Sequence, residues 1–236
     1  IMSELKKFGK KLFTSVVTGM TAFTMSFGAF LPAVVHAADE CPAVEAGDLI
    51  KVPANSAVYY VNADMERMYF PNSEVYMTWY EDFAGVITIP ATCIDNYPSG
   101  GGINFRPGSR LVKTEVSPNV YAIGPNNMKH KLPNEEVASA LYGANWAGLV
   151  RVLSDVFDAN LSMGDALESA MPHNGQLVKT EGDDTVYFVV DGMLKAVDGD
   201  LGASASGDVR TVSQETFDSV EMADAAMTTT PADVVA

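Results

Sequence analysis

Leu49-Ile50-Lys51, Leu111-Val112-Lys113 and Leu177-Val178-Lys179 open three segments that run in step. Nine residues after each leucine stands a Val-Tyr pair: Val58-Tyr59, Val120-Tyr121 and Val186-Tyr187. Twelve residues after the first two tyrosines comes Pro-Asn, at Pro71-Asn72 and Pro133-Asn134; the third segment offers Asp198, one residue early. The spacing is 62 and then 66 residues. Self-similarity at a fixed period is the mark of a repeated supersecondary unit. The matched residues are apolar, aromatic and turn-forming, so the repeat specifies a scaffold and no reaction. Units of about 60 residues are marginal as lone cores, so neighbours are expected to share buried surface.

Each segment has one grammar. A short Leu-Ile/Val-Lys strand is followed by polar turn residues and a Val-Tyr strand at Ala57–Val61, Val120–Ile123 or Val186–Val190. A tight turn then leads to a return strand ending at Phe70-Pro71, Leu132-Pro133 or Ala196-Val197. That is a β-hairpin pattern, and Asp191-Gly192 is its sharpest turn signal. Asn72 and Asn134 are placed to cap helices, with Glu74, Glu135 and Glu136 in the first turn, where the helix dipole favours negative charge. Val137, Ala140 and Leu141 make an apolar face that Gly143 ends; the first copy, Glu74 to Tyr80, is shorter and more aromatic. A further strand follows at Val86–Ile89, Val150–Leu153 and Val209–Val212. The third copy replaces the helix by Gly199 to Gly207, a loop composition. It realigns at Arg210-Thr211-Val212-Ser213 against Arg151-Val152-Leu153-Ser154, and Phe217 answers Phe157. The expected fold is α+β: three tandem units of small antiparallel sheets with a short helix, lost in the third. The expected units are 43–107, 108–173 and 174–221, between an N-terminal hydrophobic segment, 1–37, and a tail, 222–236.

Residues 1–37 carry Lys6, Lys7, Lys10 and Lys11 before an apolar stretch from Leu12 to Val35, then Val35-His36-Ala37 before Ala38. Two readings stand: a signal peptide removed after Ala37, or a retained anchor or stalk. Either places the bulk of the chain outside the cytoplasm, at the cell surface. The whole chain has net charge −15, and a surface so acidic repels nucleic acid. Cys41 and Cys93 bracket the first unit. In an oxidising compartment an even cysteine count favours a disulfide over two buried thiols.

The residue pattern shows no evident reaction chemistry. His36, His130 and His173 are scattered with no zinc-ligand spacing, no Gly-x-Ser-x-Gly turn occurs, and Ser99-Gly100-Gly101-Gly102 lacks the Lys-Ser/Thr of a phosphate loop. Asp191, Asp198, Asp200 and Asp208 fall within 18 residues. Asp198, Asp200 and Asp208 are thus weak calcium candidates, set against the simpler reading of turn-forming aspartates, and no cofactor is otherwise called for. Lys51, Lys113 and Lys179 read either as ligand or subunit contacts, or as charges that guard an edge strand. Tyr59, Tyr60, Tyr121, Tyr187, Trp79 and Trp146 read either as sugar-stacking platforms or, more simply, as sheet packing.

The repeat Gly47-Asp48-Leu49-Ile50-Lys51, Ala57-Val58-Tyr59-Tyr60, Tyr69-Phe70-Pro71-Asn72, Thr78-Trp79-Tyr80 has a second copy. That copy is Arg110-Leu111-Val112-Lys113, Asn119-Val120-Tyr121-Ala122, Lys131-Leu132-Pro133-Asn134, Leu141-Tyr142-Gly143 and Trp146. It resembles repeats of exported cell-surface and wall-associated proteins of bacteria, notably candidate-phylum bacteria, over residues 45–220. The resemblance implies a surface address and names no ligand. The expectation is a structural subunit of an extracellular assembly, a surface layer or a filament, that self-associates. A cell-wall or glycan-binding module is the alternative, and an enzyme comes third.

Overall fold

The computed structural model describes residues 40–199 and 201–223. The segment 1–37, Asp200 and the tail beyond Ala223 lie outside them, so the readings of the N-terminal segment are not addressed by the fold. Among the described residues no helix is long and apolar enough to cross a membrane.

Three five-stranded sheets follow one another. The first contains β1 (Leu49–Lys51), β2 (Tyr59–Val61), β3 (Arg67–Tyr69), β4 (Val86–Thr88) and β5 (Ser99–Gly102), with α1 (Ser73–Tyr76) between β3 and β4. The second contains β6 (Leu111–Thr114), β7 (Tyr121–Gly124), β8 (Met128–Lys131), β9 (Val150–Leu153) and β10 (Ser162–Met163), with α2 (Glu135–Tyr142) and α3 (Asp155–Asp158). The third contains β11 (Leu177–Thr180), β12 (Tyr187–Val190), β13 (Met193–Ala196), β14 (Arg210–Val212) and β15 (Glu221–Met222), with α4 (Gly202–Ser206) and α5 (Gln214–Asp218). The strand orders are β4-β1-β2-β3-β5, β9-β6-β7-β8-β10 and β14-β11-β12-β13-β15, one topology three times. Register matches too, since Ile50 faces Tyr59, Val112 faces Tyr121 and Val178 faces Tyr187. The repeat is therefore real at the level of hydrogen-bonded partners, and the fold is α+β as the pattern required.

Three details differ from the sequence reading. The sheets are mixed: an antiparallel meander forms the centre, and each edge strand pairs parallel, β4 with β1 and β5 with β3 in the first unit. The cause is the crossover after β3, which carries the chain over the sheet and returns it running in the direction of β1. Second, the third unit keeps a helix, α4, where a loop was expected. Ala203 and Ala205, the best helix formers, outweigh the flanking glycines, and Ala205 packs on the shared core. Third, Lys51, Lys113 and Lys179 lie on the strand next to the edge, covered by β4, β9 and β14, so they guard no edge.

Successive residues of a strand point to opposite faces. Leu49, Leu111 and Leu177 face the α1, α2 or α4 side, whereas Ile50, Val112 and Val178 face the side covered by the second crossover, and all six are buried. That is why the motif has two apolar residues in a row. Both faces of every sheet are covered. Burying one such side chain stabilises by about 1.5–3 kcal/mol.

Local chemistry sets the element ends. Asn72 and Asn134 accept from the amides of Val75 and Val137, each at 2.9 Å, and Gly143 (φ 83°) ends α2. Asp191 and Gly192, with φ of 51° and 74°, form the two-residue turn between Val190 and Met193, the twist-matched type I′ hairpin. Cys41 and Cys93 form a disulfide with Cα atoms 5.6 Å apart, tying the chain before β1 to the turn that covers the far face of the first sheet.

One core cluster draws on all three units. It includes Tyr60, Phe70 and Val75 of the first, Val112, Ile123 and Leu153 of the second, and Leu177 and Phe188 of the third. The expectation that small units share buried surface is met by residues from every copy.

Candidate functional site: the polar junctions between units

The turn that precedes the first strand of each unit is the same in all three. Its glycine, Gly47, Gly108 or Gly175, has positive φ and donates its amide to Val61, Ile123 or Val189. Two residues earlier stand Glu45, Arg106 and His173, whose carbonyls accept from Asp48, Ser109 and Gln176. Glu45 is exposed, but Arg106 and His173 are buried, and each reaches into the unit before it.

At the first junction Arg106 lies against the end of α1. Its Nε donates to the Thr78 carbonyl at 2.8 Å and its amide to Thr78 Oγ1 at 3.0 Å, while that hydroxyl donates to the Val75 carbonyl at 2.7 Å. At the second junction Gln176 Nε2 donates to the Leu141 carbonyl at 2.7 Å, near the end of α2. The Tyr142 hydroxyl meets His173 Nε2, and His173 Nδ1 lies 3.0 Å from the Asn174 carbonyl. With Nδ1–H donating to that carbonyl, Nε2 is the acceptor of the tyrosine proton. Both linkers thus satisfy carbonyls that a helix end leaves unpaired. Burial holds His173 well below its usual value, at about 4, despite the opposing bond to Asn174; burial also pushes the Tyr142 phenol up.

The junctions meet at Asp208, between α4 and β14. Its carboxylate bonds to Arg106 at 2.6 Å, Arg110 at 2.9 Å and Arg210 at 3.4 Å. One carboxylate facing three guanidinium groups leaves a local positive excess inside an acidic protein. Burial lowers the pKa of Arg106, opposed by Asp208, and burial lowers that of Arg210 as well. The Arg210 guanidinium also sits 5.9 Å from the centre of the Tyr142 ring. Arg151, at the matching place on β9, pairs with Glu74 of α1. The linkers themselves touch: a Cβ on Gly175 would lie 2.1 Å from Pro107 Cβ.

Asp208 is therefore a correction to the calcium reading. Both its carboxylate oxygens are engaged by guanidinium donors, which leaves no oxygen free for a cation. Asp198 is exposed and Asp200 lies outside the described residues. Among the described residues no group of three His, Cys, Asp or Glu is placed to hold a metal. Trp79 is in the core, with its indole N–H donated to the Asn104 carbonyl at 2.8 Å; Trp146 is half-buried against α2. Tyr59, Tyr121 and Tyr187 are half-buried sheet residues, touched respectively by Arg67, Lys129 and Phe217. The three lysines stay apart, one per sheet, and Lys179 lies 3.5 Å from the exposed Asp184. None of these residues converges on a common pocket. Sequence reasoning does not single out Arg106 or Gln176, counts His173 among scattered histidines and reads Asp208 as a calcium candidate. For Arg106, His173 and Gln176 the available signal was their position before the Leu-Val motif, where a polar residue replaces its counterpart in another copy. No family model, curated protein or solved structure matches the chain.

Proposed function

We propose that the chain is a structural subunit of an extracellular assembly, exported and displayed at the cell surface. The observation that carries this reading is the use of its chemically capable side chains. Arg106, Lys129, His173 and Asp208, all buried, are each bonded to another part of the scaffold. Arg106, His173 and Asp208 join one unit to another, Lys129 joins β8 to α3 within the second, and all four are left with little to act on a substrate. The disulfide suits an oxidising compartment, where the same staple resists loss of structure. Val152 on the edge strand β9 and Val156 on α3 are 53% and 74% exposed, apolar surface of the kind that lateral contacts cover.

The test is assembly of the full chain in the absence of wall material, followed by sedimentation velocity and electron microscopy across a concentration series with and without calcium. Ordered polymers, weakened by Val152→Asp with Val156→Asp, are the expected result. A monomer at the highest concentration that is retained by isolated wall material overturns it in favour of a wall-binding module.

A further inference from the structure

The first unit carries a groove of about 430 Å³ between the loop before β2 and the segment around α1. Its floor is aromatic. The Phe83 ring stacks on Tyr76, with centroids 4.4 Å apart and planes at 11°, and Tyr76 stacks in turn on Tyr80 at 5.1 Å. Tyr76 is buried, whereas Phe83 is 47% exposed, so one aromatic face is backed by protein and turned to the groove. Phe83 is also held in place. The Tyr76 hydroxyl donates to the Asp82 carbonyl at 2.7 Å, the Ala84 amide to Asp82 Oδ1 at 2.8 Å, and the Val86 amide to the Phe83 carbonyl at 3.2 Å.

The rim is polar and uncharged. Asn55, Ser56, Asn72 and Ser73 line it, and no lining residue carries a charge, in a chain whose net charge is −15. The side-chain oxygens of Asn55 and Asn72 already accept from the Ala57 and Val75 amides, which leaves each amide NH₂ as a donor. A fixed aromatic face beside neutral donors and hydroxyls matches a ligand with one apolar face and an equatorial ring of hydroxyls. No strand lines the groove, so an extended peptide would find no ladder of backbone groups to pair with. A charged sugar would meet no counter-charge there.

We propose that this groove binds a neutral pyranose within an oligosaccharide, one ring face lying on Phe83 and its hydroxyls bonded by Asn55, Ser56, Asn72 and Ser73. The site does not recur in the second unit, where Ala138 stands at the place of Tyr76. It does not depend on assembly: a monomer can bind sugar and a polymer can fail to.

The experiment is calorimetric titration of the full chain with chitotetraose, cellotetraose, maltotetraose and mannotetraose, beside trigalacturonate and a decaproline peptide. Saturable binding of at least one neutral tetrasaccharide is expected, weakened about tenfold or more by Phe83→Ala. Asn55→Ala with Ser56→Ala should weaken it also, and these surface changes test the site should Phe83→Ala fail to fold. No binding by any neutral sugar at about 10 mM overturns the proposal, since a Kd beyond that is a negligible affinity. Binding undiminished in both variants, or binding only of trigalacturonate or decaproline, overturns it equally.

Discussion

Replacing Asp208 by asparagine should be among the most damaging single changes in this protein. The substitution keeps the shape and removes the carboxylate that faces Arg106, Arg110 and Arg210. Arg106 suffers most, because its side chain is 9% exposed and its Nε already serves the Thr78 carbonyl. Breaking a buried ion pair by removing one partner costs about 3–5 kcal/mol, since the surviving charge keeps its desolvation penalty. For a domain of this size that lowers Tm by roughly 6–20 °C. Thermal unfolding followed by circular dichroism at pH 7, with the disulfide intact, measures it. Arg110→Gln should cost much less, since that side chain is 23% exposed and Arg106 retains its partner. The double change Arg106→Met with Asp208→Leu should recover the part of the loss that Arg106 carries, because apolar side chains carry no desolvation penalty, while Arg110 and Arg210 still lack that carboxylate. A fall of less than about 2 °C for Asp208→Asn would mean the guanidinium groups are solvated, and the account of the junction would be wrong.

Acid should weaken the second junction through His173. Its folded-state value, about 4, lies below the unfolded value of about 6.5, so the unfolded chain binds the extra proton between those limits, and stability drops by about 3 kcal/mol as pH falls from 7 to 4. His173→Gln should flatten that part of a stability–pH profile measured by urea unfolding; an unchanged slope would assign the effect elsewhere. Reduction of Cys41–Cys93, 52 residues apart, should remove about 4 kcal/mol in the loop-closure model, read as a lower urea midpoint with reductant present. Gly175→Ala should cost about 3 kcal/mol or more, combining φ of +90° with overlap on the rigid Pro107 ring; wild-type stability would show that the linkers can part.

Much of the scaffold is legible in the sequence because its determinants are local. Leu111-Val112 names a strand with both faces covered, Asp191-Gly192 names a two-residue turn, and Asn134 with Val137 names a helix start. The parallel edges are not local. β5 is Ser99-Gly100-Gly101-Gly102, a run with no strand preference of its own. It forms because glycine alone lets it approach β3: an added Cβ would come within 2.9 Å of Glu66 Cβ at Gly100 and of Tyr69 Cζ at Gly102. A composition that reads as a loop is therefore a strand selected by its neighbour. The same holds for Phe83. Its exposure and its stack on Tyr76 depend on a turn held by Asp82, so the sequence points first to Trp79, which the fold instead buries.

The junctions explain why a regular repeat acquires irregular copies. The strands must repeat, since every sheet solves one packing problem, and Leu-Ile/Val-Lys is retained at each start. The residue two places before the turn glycine faces a different neighbour each time. Arg106 meets a carbonyl of Thr78 and a carboxylate from the third unit, so a charged fork fits. His173 meets a phenol and a carbonyl beside Arg210, where a second cation would find no carboxylate of its own, and a neutral imidazole fits instead. The difference between Arg106 and His173 follows from the charge each neighbour presents. Copies thus differ where one touches another, and those positions, with the shared core, hold three similar sheets in a single arrangement.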